Sequence, residues 1–235
     1  MDDRRSEWFV PRFGPKRFRV AVGLLFLPYT AMVLSYTLIG SMVAERIHWD
    51  RVAAILWIYF SALGVGAHAL DAVGSKEIKP WGAHFSPRTL WTAAVLSLVS
   101  SYAVGIYYMV FYAPLLWGIA LLEGFFLLAY NLEWFGGRFH TDGWFILSWG
   151  VLPVAAGYVL QTNRISLSAL ALAAAAGMLS RVEISASRPY KQIKRLPSPT
   201  SREIEQIGRY EQILEGISLG TVLLGIGMVL FRLRG

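Results

Sequence analysis

Residues able to do chemistry are sparse in this chain and fall in a few places. His68 and Asp71 stand three apart, on one face of a helix. Gly74 and Ser75 loosen that helix, and Lys76 and Lys79 follow. Lys79-Pro80-Trp81 reads as a turn, since the residue before a proline leaves the helical region. Ser86-Pro87 then opens the next helix, with Ser86 as N-cap and Pro87 in the first turn. An imidazole, a carboxylate and two ammonium groups thus end one apolar run. Two readings of Asp71 stand side by side: a helix-end carboxylate paired with Lys76 or Lys79, and a site carboxylate. His68 is likewise a packed, hydrogen-bonded residue or a substrate contact.

Other groups lie farther along. Tyr130 and Asn131 close an apolar run, and Arg138 follows a Gly136-Gly137 turn. Arg181 and Glu183 close another. Each pair reads either as interface anchoring or as part of a site. Glu123 lies in the middle of the run from Trp117 to Tyr130. A carboxyl at mid-depth in a bilayer costs a few kcal/mol, so it should face the bundle interior, hydrogen-bonded by a Tyr or Trp or standing in a polar cavity. His48 sits in a short loop of balanced charge and reads as a solvated loop residue.

The elements that position these residues are apolar. Hydrophobic residues make up 55% of the chain and charged residues 16%, too few charges for a water-exposed surface. The mean hydropathy of +0.48 agrees. The pattern predicts an all-α, polytopic transmembrane bundle of about seven spans, at 20–43, 52–71, 89–110, 114–132, 143–162, 165–180 and 214–232. Residues 1–19 read as an interfacial segment, with Trp8, Phe9, Phe13 and Phe18 between basic residues, rather than as a secretory signal. Residues 20–235 read as one membrane domain containing a long loop, 181–213. In that loop, 197–201 serve as linker and cap, and 201–213 form a short amphipathic helix. Pro153 kinks the fifth span, and Gly216 and Gly220 have the spacing for close helix contact in the seventh.

Lys and Arg divide unevenly between the two sides. Seventeen fall in the N-terminal segment and in 72–88, 133–142 and 181–213, against five at Arg46, Arg51, Arg164, Arg232 and Arg234. The positive-inside rule places the N-terminus in the cytoplasm and the C-terminus outside a cell membrane. The net charge of +7 is then a collar that attracts anionic membrane lipid or rims a site for a phosphorylated substrate. Basic residues spread over membrane-adjacent loops argue against nucleic acid. With no cysteine, disulfides and thiolate metal sites are excluded. The seventh span has no lysine for a retinal Schiff base, and Glu123 alone answers the intramembrane polarity expected of a channel.

The stretch from Gly66 to Val99 resembles the first motif region of UbiA-type intramembrane prenyltransferases. That family ends its second helix in N-D-x-x-D-x-x-x-D, followed by a basic residue, R-P-x and I-S-x-x-x-A. Lys79-Pro80-Trp81 and Phe85-Ser86-Pro87-Arg88 are similar to the later part. Tyr130 to Gly157 is the second similar region, with a Tyr at the end of helix four, a polar turn and Gly150-Val151-Leu152-Pro153-Val154-Ala155-Ala156-Gly157. Asp71 matches a family aspartate. Ala67, His68 and Ser75 stand where the family has Asn, Asp and Asp. The loop after span six has no Asp and offers Glu183, Glu203, Glu205 and Glu211 instead.

The resemblance implies transfer of a prenyl group from a polyprenyl diphosphate to a lipid-soluble acceptor. Asp71 would be the catalytic carboxylate, and Asp71 with Glu183 would hold Mg2+ together with substrate oxygens. His68, Lys76, Lys79, Tyr130, Asn131, Arg138 and Arg181 would bind the substrate. A non-catalytic membrane protein using the same scaffold for isoprenoid or lipid binding, or for protein interaction, is the other reading. The two differ in the cavity lining: an enzyme needs a long apolar tunnel opening between helices, with Asp71 and a second carboxylate facing each other at its cytoplasmic mouth.

Overall fold

Proline and glycine cut the chain where its apolar runs break. The computed structural model describes residues 7–74 and 84–234, and among them every regular element is helical. They are α1 (Lys16–Leu24), α2 (Leu27–Met42), α3 (Trp49–Tyr59), a π-helical segment π1 (Phe60–Ala67), α4 (His68–Gly74), α5 (Pro87–Phe111), α6 (Leu116–Asn131), the single turn α7 (Trp134–Gly137), α8 (Asp142–Phe145), a second π segment π2 (Ile146–Val151), α9 (Leu152–Thr162), α10 (Leu167–Lys194) and α11 (Ser201–Arg234). The α1–α2 join is made by Phe26 in a left-handed conformation, with Pro28 in the first turn of α2. Ser86 caps α5, its hydroxyl accepting from the Thr89 amide at 3.1 Å.

Six continuous stretches are long and apolar enough to cross a membrane: Lys16–Met42, Trp49–Gly74, Pro87–Phe111, Asp142–Thr162, Leu167–Lys194 and Ser201–Arg234. The fourth of the seven expected spans is the exception. Its helix, α6, has 16 residues, about 24 Å against a hydrocarbon thickness of about 30 Å. It still runs between both ends of the bundle. At one end the Leu115 amide donates to Asn163 Oδ1 at 2.9 Å, and at the other the Asn131 backbone lies against Gly74.

The second difference from expectation is a loop that is not there. Residues 181–213 are helical on both sides of a short link, 195–200. Glu183, Ile184, Ala186, Ser187 and Tyr190 keep a buried helical stripe going past the apolar run, so α10 continues to Lys194. Thr200 and Glu203 form a capping box at the start of α11, the Thr200 amide donating to Glu203 Oε2 at 2.7 Å and the Glu203 amide to Thr200 Oγ1 at 3.3 Å.

α2 is the central rod. Gly40 lies against the Val154 carbonyl and Gly157 against the Thr37 carbonyl, so α2 and α9 touch backbone to backbone. Ser41 Oγ reaches the Gly157 carbonyl at 3.3 Å. α11 lies on α2 through Leu214, Ser218, Thr221 and Gly225. A Cβ at Gly225 would stand 3.0 Å from that of Ser35, whereas Gly216 and Gly220 face open space. The close contact expected at Gly216 and Gly220 is therefore at Gly225, because the buried stripe runs through 214, 218, 221 and 225. At the far end Arg232 donates to the Met42 and Ala44 carbonyls at 2.8 and 2.7 Å, closing the C-terminus of α2.

Candidate functional site

A cavity of about 260 Å3 opens at the end of the bundle where α4 and α6 end and α8 begins. Two π segments lead into it. π2 lies immediately before Pro153, which has no amide hydrogen and would crowd the carbonyl of Trp149 in a regular α-helix. A π turn relieves that clash and leaves Trp149 buried on the cavity floor. π1 contains Gly64 and Gly66, whose missing side chains make room for Thr30 and Ser97. It hands the helix over to His68 and Asp71, both of which line the cavity.

His68 is buried and held on three sides. Its ring stacks on Phe26 at 4.9 Å and lies 5.4 Å from Trp149. Its Nε2 is 3.4 Å from Thr30 Oγ1. Asp71, one turn on, is half-buried. Tyr130 stacks on His140 at 4.2 Å, and His140 Nδ1 donates to the Tyr130 carbonyl at 3.1 Å. Asn131 is buried, and its amide nitrogen is spent on the Leu127 carbonyl at 2.8 Å.

α10 supplies the opposite wall. Glu183, Ser187, Lys191 and Arg195 follow at four-residue intervals, with Ile184 and Arg188 on the same face. Glu183 is 4% exposed. Lys191 Nζ lies 5.6 Å from the Phe26 ring and 5.9 Å from that of Tyr29. Arg188 pairs with Asp142 at 2.7 Å. Among the described residues the lining thus carries three cations, Arg188, Lys191 and Arg195, and three carboxylates, Asp71, Glu133 and Glu183. Its floor is aromatic, formed by Phe26, Phe145 and Trp149.

The sequence-derived residues divide as follows. His68, Asp71, Tyr130, Asn131 and Glu183 line this one cavity. Arg138 and Arg181 do not; Arg181 is exposed, pointing off the α10 face that carries Glu183 and Arg188, and Arg138 lies beyond the α7 turn. Lys76 and Lys79 lie outside the described residues. Sequence reasoning missed Arg188, Lys191 and Arg195 as a group by treating them as loop charges. Their spacing of three and four was the available signal. His140 and Glu133 gave none.

The chain's first described residues close over this end. Val10 is buried, and Phe9 packs on Phe26 at 5.0 Å. Tyr190 is the latch: its hydroxyl donates to Glu7 Oε2 at 2.7 Å and lies 3.0 Å from Glu211 Oε1, while Lys194 Nζ reaches Tyr190 and Glu211 at 2.9 and 2.8 Å. Tyr190→Phe removes the hydroxyl and takes one donor from the buried Glu7, a loss of about 1–3 kcal/mol. The expected result is faster tryptic cleavage at Arg12 and Arg17 with the helical core intact. Unchanged cleavage would show that the latch does not hold this segment.

Neither a protein-family model, nor a curated protein, nor a solved structure matches this chain.

Proposed function

We propose that the chain is a multi-pass membrane protein of the UbiA-like type, and that its charged cavity binds the diphosphate end of a polyprenyl diphosphate for transfer to a lipid-soluble acceptor. One observation carries the reading: Asp71 and Glu183, on different helices, line the same cavity as Arg188, Lys191 and Arg195. Cations on one wall suit a phosphorylated headgroup, and the aromatic floor suits the first carbons of an apolar chain.

We read Asp71 and Glu183 as the donor pair for Mg2+. Among the described residues no group of three or more His, Cys, Asp or Glu could cage a metal. Mg2+ needs no such cage, since one or two carboxylates and substrate phosphate oxygens suffice. Asp71 and Glu183 would hold it, and the ion when bound would offset charge on the departing pyrophosphate. Lys191 and Arg195 would neutralise the remaining phosphate oxygens. Phe26 and Trp149 would face the allylic carbon with π-electron density and keep water from it.

The test uses purified protein in nanodiscs with Mg2+, labelled prenyl diphosphates of several lengths and a lipid extract as acceptor source. Pyrophosphate release that depends on the protein is expected. Diphosphate binding without release would select the binding-only reading, which one feature favours: Arg188 is already engaged by Asp142. Neither binding nor release at any chain length would remove both.

In this reading the chain crosses the membrane seven times, with the charged cavity facing the cytoplasm. A cysteine at Ser198, in the α10–α11 link, should label only from the cytoplasmic side, and one at His48 only from outside. The protein has no cysteine to interfere. The reverse pattern would overturn the orientation.

A further inference from the structure

A second cavity, of about 70 Å3, lies within the bundle away from the charged one. A single water needs about 10–15 Å3 on this scale, so the space takes a ring-sized or short branched group. Ile58 and Tyr59 line it from α3, Tyr102 and Gly105 from α5, and Ala120 and Glu123 from α6. α5 packs along α3, π1 and α4, while α6 packs on π1, α4 and α9, and direct packing between the two is sparse. Val99 and Ile106 of α5 and Leu121 and Leu122 of α6 are exposed on the outer surface. Tyr102 bridges the two helices, its hydroxyl 3.5 Å from the Ala120 carbonyl and against Gly124.

Glu123 is the sole carboxyl of this lining, and no Lys or Arg accompanies it. Its Oε1 accepts from the Tyr59 hydroxyl at 3.0 Å. Its Oε2 is shielded from solvent and has no hydrogen-bond partner among the described residues. A buried carboxyl oxygen left unpaired in apolar surroundings is costly, and an ionisable side chain at this depth in a membrane points to function.

We propose that this cavity binds the hydroxyl-bearing end of a small lipophile, which enters from the bilayer between α5 and α6 and hydrogen-bonds to Glu123 Oε2. A hydroxyl both donates and accepts, so it pairs with a carboxyl that holds a proton or lacks one. A phosphate or carboxylate ligand would find no cation here. A pure hydrocarbon would leave Oε2 unpaired. The three lining hydroxyls are already committed: Tyr59 to Glu123 at 3.0 Å, Tyr102 toward the Ala120 carbonyl at 3.5 Å, and Ser101 Oγ to the Ile58 and Ser97 carbonyls at 3.1 and 2.9 Å. This inference does not depend on the reading of the charged cavity.

The test measures saturable binding of tritiated geraniol to the full chain in phosphatidylcholine nanodiscs, with empty nanodiscs as background. Unlabelled geraniol should compete at least about tenfold better than the branched hydrocarbon of equal length that lacks the hydroxyl. Glu123→Leu removes the oxygen, and Gly105→Leu fills the cavity from a position where a Cβ meets nothing closer than 3.8 Å. Each should weaken binding at least about tenfold, with melting temperatures confirming that the variants fold. Asp71→Asn, in the other cavity, should leave this binding unchanged. If Glu123→Leu does not fold, Gly105→Leu and the hydrocarbon comparison still decide. The proposal is overturned by absence of saturable binding, equal competition by the hydrocarbon, unchanged binding in Gly105→Leu, or equal loss in Asp71→Asn.

Discussion

Under the proposed function, Asp71→Asn is expected to leave the protein folded and to lower prenyl transfer by roughly a hundredfold or more, the scale set by removing a preorganised group that stabilises developing charge. Asparagine keeps the shape of the side chain and loses the charge. Lys191→Ala should be milder, about tenfold in diphosphate affinity, because a lysine acts as a point charge that Arg195 partly replaces. The assay is single-turnover transfer from a labelled prenyl diphosphate in nanodiscs, with melting temperature as the folding control. Transfer that survives Asp71→Asn at the wild-type rate would remove the mechanism while leaving the cavity as a binding site.

Asp71 was legible because it stands in register with an aspartate of the family that the stretch resembles, and its three-residue spacing from His68 fixes a shared helix face. Glu183 was reached through the resemblance alone, as one of the glutamates in the region where that family has its second aspartate motif. Arg181 was not, since its chemistry is that of Arg188 and only helix phase separates them. α10 stays helical beyond the apolar run and through Pro189, and its phase sends Arg181 outward and Arg188, Lys191 and Arg195 to the cavity. A sequence reading that ends the helix where hydropathy ends discards the phase. The helical rods themselves were visible from composition, except for the reach of α6, which hydropathy alone places at span length and which stops at 16 residues. The Gly216–Gly220 pair shows the converse hazard, because small-residue spacing indicates that a close approach is possible and not which face makes it.

Gly157→Ala should be among the most damaging single-methyl changes in the protein. Its Cβ would overlap the Thr37 carbonyl oxygen, with the Thr37 carbonyl carbon and Ser41 amide nitrogen at 3.0 and 3.1 Å. These are backbone atoms, which cannot rotate away as a side chain would. α9 must therefore back off from α2, and the matching approach of Gly40 to Val154 is lost with it. Overpacking of this kind costs about 3 kcal/mol or somewhat more. Gly216→Ala is the control, since nothing lies within 4 Å of its Cβ and alanine improves helix propensity by up to about 1 kcal/mol. Thermal melts in a fixed detergent should show a large drop for the first and none for the second. Equal melting temperatures would mean that α2 and α9 are not in backbone contact.

π1 has a consequence for how the charged cavity can be gained or lost. The π segment winds through about the angle that an α-helix one residue shorter would cover. Removing one residue between Phe60 and Ala67 therefore lets the rod close as ordinary α-helix with His68 and Asp71 near their present phase. Removing a second residue swings them by about 100° relative to Trp49–Tyr59, and they leave the cavity together. Chains of otherwise similar pattern that lack one residue in this segment should keep the cavity lining, and those that lack two should lose it.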